Sequence, residues 1–282
     1  MLKNTFCHVP LISLKTESQL WETGASSWAA VNPEVLSSLT RKKRENLIRF
    51  LEESASHLAT SNPMFFSNLL PINQHWRLFP EFRHSTAYLD IETTGLFPSE
   101  DSITTVALYD GRELRTYVKG HNLKQLRDDI RQYRLIVTYN GKCFDVPFLQ
   151  RFLGTSLEAA HIDLRYVLAS LGYSGGLKRC ERRMRIKRQG VRDVDGFTAV
   201  LLWNDYRKRR NANALESLLA YNAVDAMNLE PLMVKAYNRK VKQTPFSKTN
   251  RIPIPVLPPV QFTVDHELIK QAKRRYFYSY SW

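Results

Sequence analysis

The chain has 282 residues, 43% of them hydrophobic and 24% charged, enough to bury a full core in one large domain or two modest ones. These proportions exclude a disulfide-stapled peptide, a collagen, a coiled coil and a wholly disordered chain, and no apolar run approaches the ~20 residues of a membrane helix. Lysine and arginine outnumber the acids 41 to 27, a net charge of +14, which points to a polyanionic partner such as nucleic acid or an anionic membrane surface. Cys7, Cys143 and Cys180 are too few and too scattered for a disulfide framework or a CxxC zinc site. A reducing, cytoplasmic setting is therefore expected, and the first residues match neither a secretory signal nor an Arg-rich transit peptide.

Residues 1–85 read as a mainly helical extension, with an amphipathic stretch from Arg41 to Leu58 and breaks at Asn62-Pro63 and Leu70-Pro71. No chemistry is visible there. From 86 the texture changes to strands: Ala87 to Glu92, Ile103 to Tyr109 and Glu113 to Val118, with a hairpin signal at Asp110-Gly111. A helix is expected over Leu123 to Tyr133, then a buried strand from Leu135 to Tyr139. After Asn140-Gly141, helical segments occupy 145–153, 163–171, 197–210 and 212–228, with Pro231 marking a break or kink beyond the last. Residues 86–240 thus read as a layered α/β domain. Residues 241–282 form a basic tail: a linker-like stretch with Pro245, Pro253, Pro255, Pro258 and Pro259, a short basic helix, and an aromatic end from Tyr276 to Trp282.

Charge is segregated. Residues 161–240 carry 16 Lys and Arg against 8 Asp and Glu, and within them Lys178, Arg179, Arg182, Arg183, Arg185, Lys187, Arg188 and Arg192 are opposed only by Glu181. Such a run is either a solvated helix face or a phosphate-binding surface.

Three carboxylate patterns carry the chemistry. Side chains alternate along a strand, so Tyr88, Asp90 and Glu92 share one face of the first strand while Ala87, Leu89 and Ile91 share the other. Such a face can simply be wet. Neighbouring acids nevertheless raise each other's pKa, and a divalent cation is the natural relief. Asp145 opens a helix just beyond a buried strand, where it can cap the helix, and where α/β folds also place their sites. Tyr221 and Asp225 are one helical turn apart and share a face, either as a boundary Tyr beside a surface Asp or as part of the same centre.

Taken in order, D-x-E on a strand, F-D after a buried strand and Y-x-x-x-D on a later helix resemble the three motifs of the DEDD (DnaQ-like) exonuclease superfamily, with the tyrosine of its DEDDy branch. The wider text is similar to the YprB-type ribonuclease-H-like family over roughly residues 86–235. It comprises YLDIETTGL at 88–96, VTYNGKCFDVPFL at 137–149, HIDL at 161–164, LKRCERRM at 177–184, DVDGFTAVLLW at 193–203 and YNAVDAMNL at 221–229. The resemblance implies a ribonuclease-H-like fold, a central mixed β-sheet flanked by helices. It also implies that Asp90, Glu92, Asp145 and Asp225 hold two Mg²⁺ or Mn²⁺ ions, hard cations that suit oxygen donors. Tyr221 would orient the attacking water. The turn Thr93-Thr94-Gly95-Leu96 would hold the terminal nucleotide, the glycine allowing close backbone approach, and Asn140 would bind substrate. The basic run, dense in Lys and Arg and poor in aromatics, is expected to contact phosphates through Arg182, Arg183, Arg185 and Lys187. Asp163 is read as a helix cap, Glu181 as a partner of nearby arginines and His161 as a helix-entry residue.

The activity implied is a metal-dependent 3′→5′ exonuclease acting on DNA or RNA through a 3′ end. A structure-selective endonuclease of the same fold and a catalytically silent nucleic-acid-binding module are the alternatives, and a membrane-surface role for the tail is a further one. No GxxxxGK[ST] loop and no HExxH motif occurs, which argues against nucleotide-cofactor binding and zinc hydrolysis.

Overall fold

The computed structural model describes residues 1–188, 190–191 and 194–279. Arg192 of the basic run, Asp193 of the DVDGF text and residues 280–282 of the aromatic end lie outside the described residues.

A five-stranded sheet organises the chain, in the order β3-β2-β1-β4-β5. Its strands are β1 (Thr86–Thr93), β2 (Ile103–Tyr109), β3 (Leu114–Val118), β4 (Leu135–Thr138) and β5 (Ala160–Asp163). β2 is antiparallel to both β1 and β3, and β4 and β5 run parallel to β1, so the sheet is mixed as expected. The β2–β3 connection is closed by Asp110, whose Oδ1 accepts the Arg112 and Glu113 amides at 2.9 and 2.8 Å, with Gly111 at φ 91°.

In residues 1–85 the helices are α1 (Leu14–Glu22), α2 (Pro33–Ser37), α3 (Arg41–Ala59), α4 (Pro63–Leu69) and α5 (Phe79–Phe82). Asn62 caps α4 with Pro63 in its first turn, so the sequence break is a helix start. Further on come α6 (Leu126–Asp129), α7 (Asp145–Leu153), α8 (Leu164–Ala169), α9 (Leu177–Arg183), α10 (Gly196–Arg209), α11 (Ala212–Val241) and α12 (His266–Ser279).

Both faces of the sheet are covered. Ala87, Leu89 and Ile91 pack with Val106, Leu108, Ile136, Phe148 and Leu149 on one side. Tyr88, Tyr109, Leu135 and Val137 pack on the other with Met227, Leu232, Met233 and Tyr237 of α11 and with Phe66, Trp76 and Phe79 of the N-terminal segment. That segment therefore completes the core of the sheet, and it also holds a small core of its own around Phe6, Leu20, Val35 and Leu47.

Three local expectations are corrected. The Leu123–Tyr133 helix is a broken one, with 3₁₀ turns at Leu123–Gln125 and Ile130–Gln132 on either side of α6. α11 does not break near Pro231 but continues to Val241, because residues 227–234 are buried against the sheet and tertiary packing outweighs the lost backbone bond. The proline-rich tail is not a free linker. Asn238 on α11 exchanges bonds with the backbone of Ile252 at 2.7 and 2.9 Å, and the Ser217 hydroxyl accepts from the Asp265 amide at 2.9 Å. Among the described residues, no helix is long and apolar enough to cross a membrane.

Candidate metal centre

β1 brings Asp90 and Glu92 to its α11 side by simple alternation, and a register shift between Glu92 and Thr93 ends regular pairing there. Asn222, fully buried on α11, donates from Nδ2 to Asp90 Oδ2 at 2.7 Å and to the Asp90 carbonyl at 3.0 Å. This fastens the helix to the strand. Asp225, nearly one turn further, then lies with Asp90 and Glu92 so that one carboxylate oxygen from each falls within 4.8 Å of the others. No other such group of acidic, His or Cys ligands occurs among the described residues.

Asp145 reaches the same region from the start of α7. The turn after β4 is built for it: the Asn140 and Lys142 amides donate to the two oxygens of Asp163 at 2.8 and 3.1 Å, Asn140 has φ 66°, and a Cβ on Gly141 would sit 2.1 Å from Thr138 Oγ1. Asp163 is also the N-cap of α8, as expected. Asp145 is not itself the cap of α7; Phe144 holds that position, leaving the buried Asp145 carboxyl turned to other use. It stands outside the 4.8 Å group, yet its charge bears on both Asp90 and Glu92.

The electrostatics follow from crowding acids in a dry place. Burial, then the charge of Asp225, pushes the carboxyls of Asp90 and Glu92 well above the usual range. Burial takes Asp145 up to about 7, offset in part by the amides of Asp145 and Ile91. Asp225 is raised by burial and held back mainly by Arg188. Hard oxygen donors that repel one another this strongly are suited to a divalent cation such as Mg²⁺ or Mn²⁺.

Arg188 is the principal surprise. One guanidinium nitrogen bonds Asp225 Oδ1 and the other bonds Glu181 Oε2 at 2.6 Å, while Asn228 Nδ2 donates to Glu181 Oε1 at 2.8 Å. The Arg188 side chain is 8% exposed, so this member of the basic run is an internal counter-ion and not a surface charge. Glu181 is thus the arginine partner expected of it. Tyr221 lies beneath two cations, with Lys178 Nζ 4.8 Å and the Arg188 guanidinium carbon 5.7 Å from its ring centroid. Its hydroxyl hydrogen-bonds Asp225, and burial followed by the neighbouring acids pushes the phenol far above its ordinary range, so it remains a proton donor at neutral pH.

The residues assigned to substrate divide. Thr93 is buried and donates to the Gly95 carbonyl at 2.5 Å. A Cβ on Gly95 would lie 2.3 Å from the Asp101 carboxylate, which binds the Thr94 hydroxyl and the Phe97 amide. A side chain at this position would have to displace the Asp101 carboxylate from the turn. Leu96 and Phe97 stand out at 73% and 62% exposed. The Asn140 side chain accepts from Arg165 at 2.6 Å. Arg182, Arg185 and Lys187 line a concavity of about 520 Å³ with Lys178 and Arg188. Arg183 instead donates to the Gly172 carbonyl at 3.1 Å and lies 4.6 Å over the Tyr173 ring. His161 is a strand residue of β5, bonded to Thr138 Oγ1 at 2.8 Å, and not a helix entry. Asn222, Asn228, Lys178 and the internal role of Arg188 were missed in the sequence. Only Asn222 carried a signal, by lying between Tyr221 and Asp225 on one helix.

A mixed sheet with acids from its central strand, a loop helix and a long crossing helix defines an α/β protein of ribonuclease-H-like fold. The RNase_H_2 model of the RNase H superfamily matches residues 87–237, and the chain belongs to that superfamily. Among solved structures it is similar to a chain described as the apo form of the nuclease (21% identity, 56% of this chain and 74% of that one, TM-score 0.41). It is similar also to Brucella melitensis NrnC bound to pGG (18%, 60% and 79%, TM-score 0.41) and to the same protein with bound Mg²⁺ (19%, 58% and 77%, TM-score 0.41). No curated protein matches the chain.

Proposed function

We propose that the protein is a metal-dependent nuclease of the DEDDy type, similar in its motifs to the YprB-type family, and that it removes nucleotides from a 3′ end. The observation that carries this reading is the meeting of Asp90, Glu92 and Asp225 within 4.8 Å, with Asp145 and Tyr221 acting on the same charges. Asp90, Glu92, Asp145 and Asp225 are the residues that would hold two divalent ions. Ions bound there would supply Lewis acidity at the phosphate and a more acidic water.

The chain's own groups account for the rest. The buried carboxylates gather in a water-poor site where their charge is undiluted. Tyr221, kept protonated beside Asp225, offers a fixed O–H with which to orient a water or a phosphate oxygen. The exposed Leu96 and Phe97 give a terminal sugar and base an apolar surface, and the cations of the 520 Å³ concavity give its phosphates a positive one. Asn222 keeps Asp90 oriented from behind.

The test is a metal-dependent digestion of end-labelled single- and double-stranded DNA and RNA. Expected are mononucleotides with 5′-phosphates, digestion stopped by a bulky 3′ block and unaffected by a 5′ block. Efficient cutting of a circular strand would replace this reading by an endonuclease, and no cutting with any divalent metal by a binding module.

A further inference from the structure

Away from the carboxylates, the C-terminal half of α11 and the proline-rich tail enclose a groove of about 880 Å³. Lys235, Arg239, Lys242, Lys248 and Arg251 line it, and among the described residues no carboxylate does. Arg239, Lys242, Lys248 and Arg251 are exposed, and none of the five forms an ion pair with a described residue. A fivefold concentration of cations without acids repels itself and destabilises the fold locally. Burial first, then the Arg239 and Arg185 charges, lowers the Lys235 ammonium below its usual range.

The groove and the candidate metal centre lie on the same helix, with the basic segment packed across α11 between them. Tyr221, Asn228, Lys235 and Lys242 recur every seventh residue, a spacing that keeps side chains nearly in line on a helix. The basic segment packs against the first three of these residues. Lys178 and Arg188 stand over Tyr221, the Lys187 carbonyl and Glu181 accept from Asn228, and the Met184 and Arg185 carbonyls accept from Lys235 Nζ at 2.8 and 3.1 Å. Arg183 and Arg239 lie over the Tyr173 ring at 4.6 and 5.5 Å, joining the two basic surfaces from the side. From Asp225 to Lys242 the axis runs about 25 Å, with the cations of the 520 Å³ concavity towards one end and those of the groove at the other.

We infer that this groove is a second phosphate-binding site, which holds the backbone of a single nucleic-acid strand several nucleotides away from the end bound at the carboxylates. The tail that the sequence presents as a linker forms one wall of this track, and Lys248 and Arg251 are its contribution. The strand is bound by charge, because among the described residues the groove has none of the aromatic platforms on which bases stack. The inference deepens the nuclease reading and rests on it for the placement of the strand's end.

The experiment uses the full chain in EDTA, so that binding is read without hydrolysis. Fluorescence anisotropy compares labelled deoxythymidylate strands of about 3 and about 12 nucleotides on wild type and on Lys242→Gln/Lys248→Gln/Arg251→Gln, three exposed positions outside the acidic centre. For the longer strand the triple variant should bind about tenfold or more weakly near 0.1 M salt, and the slope of log affinity against log salt should flatten by about 2, three phosphates at ~0.7 each. The shorter strand should be unaffected, and Lys242→Arg/Lys248→Arg/Arg251→Lys should restore binding. An unchanged slope, or equal losses for both lengths, overturns the inference. So does a variant that binds the long strand normally while losing affinity for vesicles of phosphatidylserine and phosphatidylcholine. A wild type that hydrolyses nothing but shows the length-dependent loss would remove the nuclease reading and leave the track standing.

Discussion

Replacing Asp90 and Asp225 by Asn should have opposite effects on the metal-free protein, although both sit in one acidic cluster. Asp90 is surrounded by the charges of Asp225, Glu92 and Asp145 and bonded by the neutral amide of Asn222. Asn keeps an oxygen for that bond and removes the repulsion, so Asp90→Asn should stabilise by about 1–2 kcal/mol, the scale of one pKa unit per ~1.4 kcal/mol. Asp225 is different, because its carboxylate neutralises a guanidinium that is 8% exposed. Breaking a buried pair costs about 3–5 kcal/mol, and here less, since Glu181 still holds Arg188 at 2.6 Å and some repulsion is relieved. A net loss of about 1–2 kcal/mol is expected. At roughly 2–4 °C per kcal/mol for a chain of this size, the two variants should differ in Tm by about 4–16 °C in EDTA, with Asp90→Asn above wild type and Asp225→Asn below it. Both should abolish hydrolysis. Differential scanning calorimetry decides the matter: equal Tm values, or the reverse order, would refute the internal counter-ion role of Arg188.

Mg²⁺ or Mn²⁺ should raise the wild-type Tm and raise it less in either variant, and an identical shift in all three would place the ion elsewhere. The pH dependence has a definite sign: Asp145 titrates near 7 when folded against about 3.8 when unfolded, so the folded state binds more protons in that window. Without metal, stability should therefore fall as pH rises from about 4 to 7, whereas the gain from added Mg²⁺ should grow over the same range; calorimetry at pH 5 and 8 with and without metal checks both. Tyr221→Phe keeps the ring under Lys178 and Arg188 and removes the hydroxyl on Asp225. Its kcat should drop about 10²-fold with substrate affinity unchanged, while weakened affinity at full turnover would make it a packing residue. Changing Arg182, Arg183, Arg185 and Lys187 to Gln together should weaken binding of all sequences alike and flatten the salt slope, less than four independent phosphate contacts would, because Arg183 is tied to Gly172 and Tyr173. Leu96→Ala should slow digestion of ends with an unaltered Mg²⁺-induced Tm shift, and a reduced shift would assign Leu96 to the metal centre's support instead.

Elements with a strong local code were legible in the sequence. β2 was expected at its observed bounds of Ile103–Tyr109, and Asp110-Gly111 marked the turn that follows. Alternation alone put Asp90 and Glu92 on one face of β1, and a four-residue helical spacing put Tyr221 beside Asp225. These are properties of a strand's two-residue and a helix's 3.6-residue period, and they need no partner to hold. Everything that depended on a partner had to wait for the tertiary structure. Pro231 reads locally as a break, yet the buried face of α11 carries the helix through it. The five tail prolines read as a linker, yet Asn238 and Ser217 fix the segment along α11, where it walls a cationic groove. Gly95 packs against Asp101, six residues away and folded back on it. Arg188 belonged to a uniform basic run until the fold turned it inward onto Glu181 and Asp225, while Arg182, Arg185 and Lys187 stayed at the surface. A side chain's type is written in the chain, but whether its charge meets water or an opposite charge is set by which elements close over it, and that is decided by packing between residues far apart in sequence.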